Sequence, residues 1–169
     1  MGTHTHVNHH KKADIQSEFK KLVKEFNAFR KEPLMDTKSL PKSAKEHTKI
    51  VKKRLAKLDH SIGVFKQRFE NAIKANSHPE SLLSIMYIST LYKHYAHQIT
   101  NVSAPVIFDD VMKKMFNEKM KKMAEPLLKK SHKSYALFTA KCAQLKVKET
   151  CENFIQKNKN LLPTVKKNL

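Results

Sequence analysis

Glycine is nearly absent from this chain: two residues in 169, Gly2 and Gly63. Tight turns, phosphate-cradling loops and nucleophile elbows need backbone conformations that mainly glycine adopts. The chain contains no G-x-x-x-x-G-K-[ST], no G-x-G-x-x-G and no G-x-S-x-G. P-loop NTPases, dinucleotide-dependent enzymes and serine hydrolases are excluded, whereas long helices joined by few turns need almost no glycine. Tryptophan is absent, and arginine occurs only at Arg30, Arg54 and Arg68. Bidentate recognition of bases favours Arg, while a diffuse anionic surface can be met by Lys point charges.

Cysteine is almost as scarce. Cys142 and Cys151 lie nine residues apart on what reads as one continuous helix, where they point to opposite sides about 13 Å apart along the axis. Such a pair cannot be bridged. With no C-x-x-C and no disulfide framework, a reducing, cytoplasmic setting is expected, with a free surface thiol or an intermolecular bridge as alternatives. Long apolar runs are missing too. Residues 1–12 have no apolar signal segment, and the least charged stretch, Ser81 to Phe108, is broken at Lys93-His94, short of the ~18 residues a span requires. His6 occupies the position where N-myristoylation needs Ser or Thr. Asn101-Val102-Ser103 is a formal glycosylation sequon, meaningful only in a secreted chain.

Positive charge is abundant. Thirty-four Lys plus Arg stand against 15 Asp plus Glu, a formal net charge of +19. A field of that sign attracts nucleic acid, anionic lipid or acidic protein surfaces; the plainer reading is a solvated Lys-rich surface. Hydrophobic residues make up 40% of the chain, enough to close a core in one domain without metals or disulfides.

Helical periodicity organises nearly all of it. Residues 1–12 read as a disordered His/Lys-rich arm. A first helix over Ala13–Arg30 carries Ile15, Phe19, Leu22, Phe26 and Phe29 on one stripe and ends before Pro33. A second starts near Ser39 with Pro41 in its first turn. It repeats Val51, Leu55, Leu58, Ile62, Phe65, Phe69 and Ala72 at alternating steps of four and three, the spacing of coiled-coil packing. Gly63 inside it suggests close approach of a neighbouring helix. Ser77 and Glu80 have capping-box spacing, with Pro79 between them, and open a third helix, apolar on most sides and expected to be the most buried. Ser103 is a plausible N-cap for a last helical region from about Val106 toward Leu162, where Pro126 should produce a kink. Pro163 stops it, and residues 163–169 form a basic tail.

Four constellations could carry chemistry. His4, His6, His9 and His10 could hold Cu(II) or Ni(II), and removal of Met1 would leave Gly2-Thr3-His4 as a square-planar ligand set; the alternative is a polar arm. His94 and His97 with Asp109-Asp110 could form a metal or acid–base site, but Asp at a helix start complements the macrodipole. No H-E-x-x-H or E-x-x-H is present. Met112, Met115, Met120 and Met123 form either an adaptable binding face or, as such stripes more often do, core. The basic runs Lys52-Lys53-Arg54, Lys113-Lys114, Lys121-Lys122 and Lys129-Lys130, with Lys133, offer an anionic-surface site. Of these, Lys114, Lys121, Lys122, Lys129 and Lys133 fall in an arc of about 120° on the last helix, opposite its apolar stripe.

Glu125-Pro126-Leu127-Leu128 followed by Lys129-Lys130, together with Lys146-Val147-Lys148-Glu149, resembles the long-helix region of the BAR-domain superfamily. The resemblance spans Ser39 to Leu162, with Ala13–Arg30 in the place of an amphipathic leading helix. It implies a homodimer that binds curved, anionic membrane through Lys and Arg. The expected protein is therefore all-α: an elongated antiparallel bundle or coiled coil of about four helices, the last long and kinked at Pro126, over residues 13–162. It carries no catalytic machinery and needs no cofactor. The expected function is peripheral docking on anionic phospholipid membrane as a homodimer. The alternatives are a nucleic-acid backbone binder and a helical protein-interaction module.

Overall fold

A computed structural model describes residues 6–33, 41, 43–75 and 79–163, with side chains from Asp14 onward. Among the described residues five helices together hold more than half of the chain: α1 His6–Phe29, α2 Ala44–Ala75, α3 Glu80–Thr100, α4 Asp110–Gln144 and α5 Lys148–Lys157. No strand occurs among the described residues. The all-α expectation holds, while the helix count and several boundaries differ.

The amphipathic stripes point where their spacing places them. Phe19, Leu22 and Phe26 of α1 are buried, as are Val51, Leu58, Ile62 and Phe69 of α2. All but Val51 meet in one core with an aromatic centre. Phe26 lies edge-on to Phe69 at 5.5 Å and to Tyr87 at 5.9 Å, and Tyr87 stacks on Phe69 at 5.3 Å. Full burial of each such ring contributes roughly 1.5–3 kcal/mol relative to exposure. The third helix is the most buried, with an uninterrupted buried run from Ser84 to Leu91, and it packs against both α2 and α4.

Helix starts follow side-chain chemistry more closely than the sequence periodicity does. The first helix begins at His6 rather than Ala13, because nothing in residues 6–12 breaks a helix. The second begins at Ala44, not Ser39: the Ser43 hydroxyl accepts the Glu46 N–H at 3.1 Å, and Pro41 precedes the helix. Ser39 and Ser77 lie outside the described residues, and Pro79 occupies the α3 N-cap without a side-chain bond. The fourth helix starts at Asp110 instead of Val106. The Asp109 carboxylate, not Ser103, caps it by accepting the Met112 N–H at 2.8 Å. Gly63 faces solvent, and a Cβ there would meet nothing within 4 Å. The close helix approach expected at that glycine does not occur.

Close approach occurs elsewhere, between α3 and α4. The Ser89 hydroxyl donates to the Ser131 carbonyl and the Ser131 hydroxyl to the Ser89 carbonyl, each at 2.8 Å and fully buried. One heptad further along α3 and one heptad earlier along α4, Ala96 and Ala124 share a second buried cluster with Val51, Ile99, Val102 and Met120. Small side chains thus line an antiparallel seam. The fourth helix continues without a break through Pro126, whose exposed position leaves the freed Lys122 carbonyl open to water.

The last helix does not reach Leu162. Leu145 caps α4, and Lys146 adopts a left-handed conformation at φ 55°. The Val147 N–H bonds the Cys142 carbonyl at 3.3 Å and the Lys146 N–H bonds that of Ala143 at 3.2 Å, the pairing of a Schellman motif with Lys in the place of glycine. The chain reverses into α5, bringing the Cys142 and Cys151 Cα atoms to 6.2 Å, and the two form a disulfide. Both expectations for these residues are corrected: the helix is not continuous, and the thiols are not free. The unpaired-thiol argument for a reducing compartment falls with them.

Candidate anionic-surface interface

The outward face of α4 is set by the same stripe that buries its inward one. Phe116, Met120, Ala124, Leu127, Ser131, Tyr135, Phe138 and Cys142 recur at steps of four and three and are buried or half-buried. At 100° per residue the opposite side carries Lys114, Lys121, Lys122, Lys129 and Lys133, all exposed. Glu118 and Glu125 share that arc, and the Lys129 ammonium bonds Glu125 at 2.8 Å, holding its carboxyl below the usual range. Five Lys against two Glu leave the face net positive.

Apolar side chains continue this face at the head of α4. Val111 is 69% exposed and Met115 66%, and Val106 and Ile107 in the preceding loop are 63% and 65% exposed. Val106 and Ile107 lie outside the helix, because Asp109 caps α4 three residues beyond the expected start at Val106. The tip combines these apolar side chains with the exposed carboxylates of Asp109 and Asp110, and the stripe behind it is basic.

Other expected site residues are distributed more widely. Lys113 pairs with Asp110 at 3.9 Å. Lys130 turns toward α3, with its ammonium 5.6 Å from the Tyr92 ring centroid. Lys52 and Lys53 are exposed on α2, and the half-buried Arg54 lines a shallow cavity beside His94. Burial, then Arg30 and His97, push the His94 imidazole down to about 4. His97 instead contacts the Asn101 amide at 3.1 Å. Among the described residues no three His, Cys, Asp or Glu side chains are placed to hold one metal ion. His6, His9 and His10 lie on the first turns of α1 and their side chains, like all of His4, fall outside the described residues.

The methionines divide. Met120 is buried, whereas Met112, Met115 and Met123 are 45%, 66% and 43% exposed, so the core expectation fails for three of the four. They border a groove of about 680 Å³ between α4 and the first turns of α2. Its floor includes Val51 and Phe116, and at one end His47 is fixed by a 2.8 Å bond between its Nε2 and the Ser103 carbonyl. Lys52 stands on the α2 wall and Lys119 on the α4 wall. Lys119 was missed by sequence reasoning because it belongs to no basic run.

No described helix is long and apolar enough to cross a membrane. No model of a known protein family, no curated protein and no solved structure matches the chain.

Proposed function

We propose that the protein is a non-enzymatic helical module that docks peripherally on anionic membrane through the outward face of α4. The observation that carries this reading is the juxtaposition of exposed Val106, Ile107, Val111 and Met115 with the exposed Lys stripe behind them. A nucleic-acid backbone would use the lysines and leave the apolar tip in water, whereas an interfacial membrane site uses both. Each Lys near an anionic bilayer contributes about 1 kcal/mol. Immersing an exposed aliphatic side chain adds roughly 1.5–3 kcal/mol. In this reading α4 bends at Pro126 and two chains pair, so that two such faces meet a curved surface, as the BAR-like resemblance implies.

Sedimentation with vesicles tests it. Binding is expected to phosphatidylserine-rich vesicles, to be weak to neutral phosphatidylcholine, and to fall as salt shortens the Debye length. Changing Lys121, Lys122 and Lys129 to Glu should abolish it with helicity intact, and V111N with I107N should weaken it without changing the charge of the face. A duplex or single strand bound tenfold more tightly than vesicles would transfer the reading to nucleic acid.

A further inference from the structure

The groove between α2 and α4 has a shape and chemistry that surface docking uses only at Met115. Its volume of about 680 Å³ lies within the range of sites that enclose one small molecule. Val51, Leu55, Phe116 and Met120 make its base apolar, and the flexible side chains of Met112 and Met115 form a wall that can adapt to an alkyl chain. Among the described residues no Asp or Glu lines it. Charge is confined to the rims: Lys52 on one side, Lys119 on the other, with Lys45 and Lys49 continuing the α2 rim in an adjoining cleft that shares Thr48 and Lys52.

The long axis follows α4 from Met112 to Met123, about 16 Å at 1.5 Å per residue. An apolar trough of that length with ammonium groups only at its edges complements a single extended alkyl chain ending in an anionic head. An acidic amphipathic helix of 10–12 Å diameter would have to share this space with His47, which is fully buried and tied to the Ser103 carbonyl at the end of the groove. We infer that the groove binds one single-chain anionic amphiphile, its alkyl tail between Val51 and Met115 and its head between Lys52 and Lys119. This goes beyond the surface reading and does not require it, since such a ligand can be presented as a monomer without a bilayer.

Alkyl phosphates supply the probe. Isothermal titration of the full chain below the micellar concentration should show one-to-one binding of dodecyl phosphate and none of inorganic phosphate. Affinity should rise about fourfold per methylene from octyl to dodecyl phosphate, then level off when the trough is full. K52E with K119E should weaken dodecyl phosphate at least tenfold while leaving uncharged dodecyl maltoside unaffected. M112E with M115E should weaken both, and because these two side chains are exposed the variant's far-ultraviolet spectrum should match the parent's. Chain-length-independent binding, several ligands per chain, or saturation by an acidic amphipathic peptide without response to alkyl phosphates would overturn the inference. Vesicle sedimentation of K52E/K119E separates the two readings. Retained vesicle binding with lost dodecyl phosphate binding supports a distinct groove site, and parental dodecyl phosphate binding by this variant refutes the groove whatever the vesicles do.

Discussion

Removing the Cys142–Cys151 bridge perturbs the one covalent constraint that fixes α5. The two residues are separated by nine positions. Closing a loop of that length lowers the entropy of the unfolded chain by about 8.6 cal/mol/K, or about 2.6 kcal/mol at 25 °C. Cys142 and Cys151 are 5% and 2% exposed, and Leu162 beyond α5 is buried in the same core, so the bridge should be inaccessible to mild reductants until the segment opens. The double variant C142A/C151A should therefore be less stable than the oxidised parent by about 2.6 kcal/mol in urea titration, equivalent to a fall in Tm of about 5–10 °C. Native protein should yield no free thiol under denaturing, non-reducing conditions and two after reduction. Two thiols without reductant would refute the bridge, and a double variant as stable as the parent would refute its stabilising role.

Three further outcomes follow from particular side chains. G63A should stabilise by up to about 1 kcal/mol in thermal unfolding, since the position is helical and exposed and has open space for a methyl group; a loss would mean a neighbour occupies that face. His94, held at about 4 in the fold against an ordinary 6.5, is neutral when folded but takes up a proton when unfolded between those values. Its contribution is thus present above pH 6.5 and is lost as pH falls toward 4. Partial exposure limits the effect to about 1–2 kcal/mol, and H94F should flatten that part of the stability-against-pH curve. S131L should destabilise by at least about 1–3 kcal/mol, because it forces a large side chain into the α3–α4 seam, whereas S131A should cost only about 1 kcal/mol. Equal effects of the two would contradict the close approach.

Periodicity and composition were sufficient for the all-α class, for the stripes of α1 and α2 and for the deep burial of α3, because a helix that must hide one face repeats its apolar residues every three or four positions regardless of its neighbours. The exposed Lys arc of α4 was legible for the same reason. Partnerships between distant residues were not. The Schellman turn at Lys146 carries no glycine to mark it, so the reversal into α5 and the pairing of Cys142 with Cys151 emerge only once α5 packs back on the core. Ser89 and Ser131 read as ordinary polar residues until α3 and α4 are laid antiparallel. Met112, Met115 and Met123 read as core because the stripe of α4 is ambiguous by one ridge, and the choice of Met120 and Ala124 as the inward positions belongs to the seam with α3. Local sequence dictates which surfaces must be buried; which helix buries them, and what groove is left between α2 and α4, depends on side-chain volumes meeting across the chain, and that was decided by the tertiary structure alone.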